Sequence, residues 1–287
     1  IERYAGYLRE ELPALLRAIA SDRQFEVWAR EQQGRDGVNT VTYRTNDLML
    51  SSVQDYRGGQ PGSREHIWQA TLGPEAIVFA NHPGCFSQSA DVTAGWWRGN
   101  AVLPRVAQWR DALVALYDLP EDDRLGFTHA YFPAFAFDES DVAASDDPDG
   151  LPHWAFARVG QGYLALYAAR GFAEVTHGPD AHRELRSSGL QNVWLCQMGA
   201  EGTDGSFEDF RRAVLATRPI IDGLRVAWTT LRGDRLEFGW TGPLLLNGVE
   251  QPITGFPHHE SAFARAALPA ESMDIGYGAE MLRLNFA

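Results

Sequence analysis

Residues 224–253 read LRVAWTTLRGDRLEFGWTGPLLLNGVEQPI, a stretch with clear strand and turn signals. Apolar and polar side chains alternate along residues 236–240, which is the period of a strand with one buried face. Asn247-Gly248 separates two short runs of strand-forming character, and this dipeptide favours the tight turn of a β-hairpin. The stretch therefore predicts antiparallel strands joined by short turns.

Short runs of the same character continue from residue 38 onward, separated by Gly, Pro, Asn and Asp. They include VNTVTYRT, HIWQATLG, AIVFAN, DALVALYDL, HWAFARV, GYLALYAA and NVWLCQMG. An α/β protein would alternate such strands with helices, which this chain does not do. We therefore expect residues 38–287 to form an all-β domain, an antiparallel β-sandwich. One inserted helix is expected near residues 206–217, because the segment from Ser206 to Asp209 resembles a capping box.

The N-terminal segment has a different period. Residues 2–20 place apolar side chains three and four positions apart, which predicts an amphipathic helix, and Pro13 predicts a break near Leu12. Residues 21–37 are polar and rich in turn formers, which indicates a linker. We therefore expect residues 1–37 to be the end of a helical domain with its linker. The apolar face of this helix should pack against a region upstream of the chain.

The charge and cysteine content exclude some classes of protein. The formal net charge is −13, and an acidic protein lacks the basic surface that nucleic acid requires. No run of eighteen apolar residues occurs, which argues against a membrane span. Cys85 and Cys196 both stand among small or apolar residues, so free buried thiols are the default expectation, with one disulfide left open.

Polar residues that could carry chemistry concentrate between Tyr43 and Gly84. His66 stands at the head of one predicted strand, and His82 follows the end of the next. A hairpin across Gly73-Pro74 would place the two imidazoles opposite each other, facing one cleft. Such a pair could bind a divalent metal such as zinc, act as acid and base, or satisfy backbone carbonyls. The acidic segment 138–150 is a weaker candidate, for calcium.

A second cluster contains His129 and Tyr131, which are two positions apart and share a face if the segment is a strand. A tyrosine and a histidine together suit elimination chemistry. The competing interpretation is an aromatic loop that packs beneath the acidic segment.

The order of these segments resembles the C-terminal domain of the heparinase II/III-like (alginate lyase-like) polysaccharide lyases. That family shows a Gly-His-x-His-x-Asp region, a strand ending in Asp-Pro-Gly, and a His-Asn-Thr segment. This chain has Glu65-His66-Ile67-Trp68, Asn81-His82-Pro83-Gly84 and Gly99-Asn100-Ala101 at the corresponding places. The resemblance covers about residues 40–170 as a pattern of loops and strands.

The resemblance implies an antiparallel β-supersandwich that follows an α/α-toroid, with polysaccharide bound between the two domains. It implies β-elimination, in which a base removes the proton α to a uronate carboxylate and an acid protonates the leaving oxygen. The resemblance implies that His66 and His82 act from the sheet side of the cleft, with Arg44, Asn81 and Asn100 as partners of the carboxylate or of an oxyanion. With the second cluster included, the expected catalytic residues are His66, His82, His129 and Tyr131, and the expected substrate contacts are Tyr43, Arg44, Asn81, Asn100 and Trp97.

The expected partners are a polysaccharide or oligosaccharide and the chain's own upstream helical domain, with a homodimer left open. No cofactor is required by this chemistry, and His66 and His82 remain weak candidates for a divalent metal. Because the toroid would supply part of the catalytic set, we expect little catalysis from residues 1–287 alone.

Two other functions stay open. A glycoside hydrolase would need two carboxylates across a cleft, and Asp47, Asp55 and Glu65 are candidates. A non-catalytic carbohydrate-binding or structural sandwich would need neither. A catalytic region should gather Tyr43, His66, His82, Asn100 and His129 on one surface, whereas a structural domain should scatter them.

Overall fold

The structure is a computed structural model that describes residues 12–21, 25–33, 37–84, 94–143 and 150–286. Strands account for 48% of it and helices for 9%, so the all-β prediction is confirmed. All pairings between the described strands are antiparallel. Among these residues, no helix has the length and apolar character needed to cross a membrane.

The elements are short and follow one another closely. The strands are, in chain order, β1 (Glu26–Gln33), β2 (Val38–Thr45), β3 (Met49–Val53), β4 (Trp68–Thr71), β5 (Ile77–Asn81), β6 (Arg105–Trp109), β7 (Ala112–Asp118), β8 (Phe127–Tyr131), β9 (Glu139–Val142), β10 (Trp154–Val159), β11 (Gly162–Ala168), β12 (Ala173–Glu174), β13 (Glu184–Ser188), β14 (Gln191–Ala200), β15 (Ile220–Asp222), β16 (Arg225–Thr229), β17 (Arg235–Gly239), β18 (Leu244–Leu246), β19 (Val249–Gln251), β20 (His259–Glu260), β21 (Ala264–Ala266), β22 (Ser272–Tyr277) and β23 (Glu280–Asn285). The helices are α1 (Leu12–Ser21), α2 (Glu201–Asp204) and α3 (Phe207–Ala216), with a single 3-10 turn at Ala134–Ala136.

The described strands form three sheets. The large sheet has the order β12-β13-β8-β5-β4-β3-β2-β1-β20-β21-β22-β23. The middle sheet has the order β6-β7-β14-β11-β10-β9, and the small sheet runs β15-β16-β17-β18-β19. Neighbours in these orders are mostly consecutive in the chain, because hairpins are the shortest connection between antiparallel strands.

The middle sheet lies between the other two and is buried on both faces. Along β7, Leu113 and Ala115 belong to the core shared with the large sheet. Val114 and Leu116 belong to the core shared with the small sheet and α3. Successive side chains of a strand point to opposite faces, so one strand contributes to two cores. This double burial explains why the middle strands are almost uniformly apolar in sequence.

The inserted helix and two strand predictions are confirmed. Ser206 caps α3 through a capping box with Asp209. Phe207, Phe210 and Val214 are the buried residues of α3, and they cover the middle sheet beside the small sheet. The alternation at residues 236–240 corresponds to β17, and Asn247-Gly248 forms the turn between β18 and β19, with both residues at positive φ. Positive φ at both central positions is what a type I′ hairpin turn requires.

The predicted linker at residues 21–37 is wrong for its described middle part. Glu26–Gln33 forms β1, which pairs along its full length with β2 inside the large sheet. Its other edge pairs with β20, where Arg30 faces Glu260. The sequence of β1 shows no apolar alternation, because its polar side chains form ion pairs with residues far away in the chain. The strand was therefore not recognisable from the sequence.

The described part of the predicted N-terminal helix is α1, which contacts β22. Residues 2–11 of that prediction lie outside the described residues. Pro13 lies within α1, whose described part begins at Leu12. Leu15 is buried, so part of the apolar face is covered within this chain.

Candidate functional site

The candidate site lies on the outer face of the large sheet, where β5, β8 and β13 are neighbours. Val78, Ala80 and Ala130 point inward to the core. The residues between them point outward, so Phe79 lies opposite Tyr131 and Asn81 lies opposite His129. Alternation therefore gathers aromatic and polar side chains on one surface.

His129 is the centre of a buried hydrogen-bonded cluster on this face. Its Nδ1 lies 2.9 Å from Oε1 of Glu184, and its Nε2 lies 3.0 Å from the carbonyl oxygen of Trp96. The His129 and Glu184 side chains are both 0% exposed. Arg186 donates from Nε to the same Glu184 oxygen at 2.5 Å. One carboxylate thus serves a histidine and an arginine.

Burial lowers the pKa of His129, and the hydrogen bonds and charge of Glu184 oppose this effect. For Glu184, burial alone would raise the pKa, but the hydrogen bonds and charges of His129 and Arg186 hold it at about 2. Glu184 is therefore a carboxylate at neutral pH. Because both ring nitrogens of His129 face oxygen acceptors, a neutral imidazole can donate to only one of them.

A tryptophan-rich segment, the tryptophan loop (residues 94–101), covers this cluster. The Trp97 indole stacks on the His129 ring, with centroids 4.2 Å apart and planes 8° from parallel. Asn81 donates to the carbonyl oxygens of Trp96 and Gly99, at 3.1 and 2.9 Å. Trp97 also donates to Asp180 at 2.9 Å. The two indoles are half-buried, so the loop is fixed to the sheet while one surface of it faces solvent.

Two of the predicted catalytic residues lie at the solvent side of this face. The exposed His66 ring packs against the Phe79 ring in a T-shaped contact with centroids 4.6 Å apart, and the half-buried Tyr131 ring stacks on Phe79 at 5.5 Å. Trp97 contacts both Phe79 and Tyr131. Partial burial lowers the pKa of His66, and a hydrogen bond with Gln69 opposes that effect. His66 and Tyr131 therefore both contact one apolar ring beside the tryptophan loop.

The other predicted histidine does not reach this surface. His82 is 2% exposed, with Nε2 3.1 Å from Oδ2 of Asp123, and its backbone N–H donates to Asn100. Burial lowers its pKa, Asp123 opposes this, and His129 lowers the pKa further.

The shared cleft predicted for His66 and His82 is therefore wrong, although the hairpin register was predicted correctly. Ala70 pairs with Val78, and the same register extended along both segments places position 66 opposite position 82. The alternation fails just before β4, because the adjacent residues Ile67 and Trp68 both enter the core. His66 consequently lies against the outward-pointing Phe79 while His82 is buried.

The remaining predicted substrate contacts do not bind at this surface. Asn100 holds loops together, whereas Arg44 and Tyr43 lie elsewhere on the fold. The side chain of Asn100 accepts from His82 and donates to the carbonyl oxygen of Glu65 at 3.0 Å, so it ties two loops together. Arg44 is exposed on β2. Tyr43 points inward and lines a cleft of about 620 Å³ with Arg110 and Asp111. Burial raises the pKa of Tyr43, and Arg110 opposes that shift.

Among the described residues, no group of three or more His, Cys, Asp or Glu side chains could hold a metal ion. The carboxylates proposed for a hydrolase either accept hydrogen bonds from neighbouring residues or lie in a different cleft. Asp55 accepts two hydrogen bonds from Arg105, Glu65 accepts from the backbone of Ser63, and Asp47 lines the cleft around Tyr43. Cys196 is a free buried thiol whose pKa is raised by burial, and Cys85 lies outside the described residues.

The sequence did not point to Glu184 or Arg186. Both lie in HRELRSS, a polar stretch without motif or periodicity. Their partner His129 lies more than fifty positions away and meets them only because β8 pairs with β13. No local signal in the sequence could have connected these residues.

Comparisons with known proteins give no relative from which to transfer a function. No family model, curated protein or solved structure matches this chain.

Proposed function

We propose that this chain is the β-sheet part of a carbohydrate-active enzyme that cleaves uronic-acid-containing polysaccharide by β-elimination. An upstream helical domain would complete the substrate cleft. The observation that carries this proposal is that His66 and Tyr131 both contact the Phe79 ring, beside the Trp97 indole. An aromatic surface with two solvent-accessible proton-transfer groups suits a sugar substrate, because a pyranose ring can pack on an indole while its hydroxyls reach polar groups.

The chemistry assigns different roles to the two residues. The lowered pKa of His66 keeps its imidazole neutral above pH 6.5, so it can accept the proton α to the uronate carboxylate. The Tyr131 hydroxyl carries an O–H that can donate to the leaving glycosidic oxygen. His82 and His129 have no such role in the proposal, since both rings are buried.

The test measures cleavage of several uronate polysaccharides by the protein as its gene encodes it. Formation of the unsaturated product is followed by ultraviolet absorbance. We expect His66→Gln and Tyr131→Phe each to lower kcat by about 100-fold or more, as is typical for the loss of an acid or base. Their Tm should change little, because neither side chain fills the core.

His177→Gln is the matched control, since His177 is an exposed histidine that hydrogen-bonds only to Thr176 among the described contacts. It should retain wild-type activity. Full activity in both His66→Gln and Tyr131→Phe would remove the proposed site from the chemistry.

A second candidate function is a carbohydrate-binding domain without catalysis. It is favoured by the burial of His82 and His129, two of the four residues expected to be catalytic. Affinity electrophoresis in gels containing polysaccharide separates the two functions. A protein that is retarded by a uronate polysaccharide, but forms no unsaturated product from it, would be a binding domain.

A further inference from the structure

Arg186 presents one edge of its guanidinium group to solvent at the candidate site. The group lies over the Trp96 and Phe127 rings, 5.2 and 5.1 Å from their centroids. Its Nε and Nη2 donate to the two oxygens of Glu184, at 2.5 and 3.3 Å. The side chain is 39% exposed, and among the described residues Nη1 contacts no hydrogen-bond acceptor. The orientation of this cation is therefore fixed before any ligand arrives.

The charge that surrounds Arg186 depends on His129. Glu184 is ionised, so it neutralises Arg186 while the His129 ring is neutral. A protonated His129 gives the three residues a net charge of +1. The protonated ring also satisfies both of its contacts, because the Glu184 oxygen and the Trp96 carbonyl oxygen are both acceptors.

Other charged groups surround these three residues. Beside the strand end of β5, His82 acts on His129 electrostatically and is paired with Asp123. Asp180 accepts a hydrogen bond from Trp97, the ring that stacks on His129. These groups add two carboxylates, Asp123 and Asp180, and one histidine whose own pKa is lowered. None of the three contacts the Arg186 guanidinium group directly among the described contacts.

We propose that Arg186 binds the carboxylate of a uronic acid sugar and that protonation of His129 strengthens this binding. The inference rests on the proposed function, because it assumes that the outer face binds an acidic sugar. Arginine suits this role, since its planar fork forms parallel hydrogen bonds with a carboxylate and its orientation is preset by Glu184 and two rings. Of the residues expected from the sequence to contact the carboxylate or an oxyanion, Asn81 and Asn100 are buried and hydrogen-bonded to loop backbone, and Arg44 is exposed on β2.

The same geometry makes binding pH-dependent. A uronate on Arg186 places a negative charge near Glu184, and a protonated His129 offsets this repulsion. The pKa of His129 lies below 6.5, so affinity should rise as the pH falls below that value. It should stop rising when the uronate itself becomes protonated, since a sugar carboxyl has a pKa of roughly 3 to 4, like an α-carboxyl group.

The test is a calorimetric titration of the intact protein with glucuronate, with glucose as the uncharged counterpart and inorganic sulfate as an anion without a sugar ring. We expect Arg186→Gln to weaken glucuronate binding by about 10- to 100-fold, as for the loss of hydrogen bonds to a charged group. Binding of glucose should change little. His129→Gln should bind glucuronate with an affinity that no longer rises below pH 6.5.

Arg183→Gln is the matched control, because Arg183 also lies over an aromatic ring, that of Phe135, and immediately precedes β13. It should bind glucuronate like the wild-type protein. Tm and near-ultraviolet circular dichroism identify any variant that fails to fold, and Arg186→Lys then serves as a milder change that keeps the charge but removes the fork.

Three results would overturn the proposal. They are unchanged glucuronate binding in a folded Arg186 variant, equal affinity of the wild-type protein for glucose and glucuronate, and sulfate binding equal to that of glucuronate. Failure of the proposed elimination reaction alone would give a different set of results. In that case glucuronate binding depends on Arg186 and pH as expected, while no polysaccharide yields an unsaturated product.

Discussion

The buried carboxylate of Glu184 makes a prediction about stability as well as binding. Its pKa is about 2 in the folded protein, against 4.5 for an unperturbed glutamate. A difference of this size corresponds to about 3 kcal/mol, at about 1.4 kcal/mol per unit. A carboxyl group with a lowered pKa stabilises the folded state above its unfolded pKa. This contribution is therefore complete above pH 4.5 and is lost as the pH falls toward 2.

The perturbation is Glu184→Gln, which keeps the size of the side chain and removes its charge. At pH 7 the variant should unfold with a free energy about 3 kcal/mol below that of the wild-type protein, since His129 and Arg186 lose a shared ionic acceptor. The difference between the two proteins should shrink below pH 4.5 and nearly vanish near pH 2. Other carboxyl groups titrate in both proteins and cancel in this comparison.

The measurement is urea-induced unfolding of both proteins across this pH range, followed by tryptophan fluorescence and circular dichroism. Agreement between the two signals tests whether unfolding is two-state. A difference in unfolding free energy that stays constant from pH 7 to pH 2 would refute the reasoning. A difference at pH 7 well below 1 kcal/mol would also do so, because Glu184 would then not hold its neighbours through charge.

Two further predictions concern the contacts between the layers. Phe210 of α3 is fully buried against the middle sheet, so Phe210→Ala should lower the free energy of unfolding by about 3 to 5 kcal/mol in urea. Arg232 donates to Asp111 at 2.8 Å and to both oxygens of Asp204 at 2.7 and 2.9 Å, and both carboxylates are nearly buried. Arg232→Met should lower the free energy of unfolding by about 3 to 5 kcal/mol, because it leaves these charges unpaired. Its Tm should fall accordingly. Adding Asp111→Asn and Asp204→Asn should recover part of that loss, and a triple variant less stable than Arg232→Met would contradict this explanation.

Much of the fold could be predicted because its signals are local. The alternation in β17 and the Asn247-Gly248 turn each involve a few consecutive residues, and the capping box of α3 spans four. The hairpin register that places position 66 opposite position 82 also follows from a short turn, and it is correct. The number of layers could not be predicted in this way. Uniformly apolar strands such as β7 indicate burial on both faces, but only the tertiary structure shows that two other sheets cover them.

The candidate site was predictable only in part. His66 and Tyr131 were identified from residue type and spacing, and Trp97 from the family resemblance, and the structure brings the three to one surface around Phe79. The grouping with His82 was wrong, because a single break in alternation at Ile67 and Trp68 puts the two histidines in different environments. A strand has a side-chain period of two, so a shift of one position exchanges the buried and exposed faces.

The antiparallel strands, the turns that join them and the inserted helix follow from the sequence alone, since each depends on neighbouring residues. Which strands lie side by side is established only in the tertiary structure. It placed Glu184 and Arg186 beside His129, and it buried the His129 ring beneath Trp97. The physical reason is that a charge or proton equilibrium depends on distances of a few ångströms between groups far apart in the chain. Such distances are created by strand pairing across the sheet, and no local pattern of residues contains them.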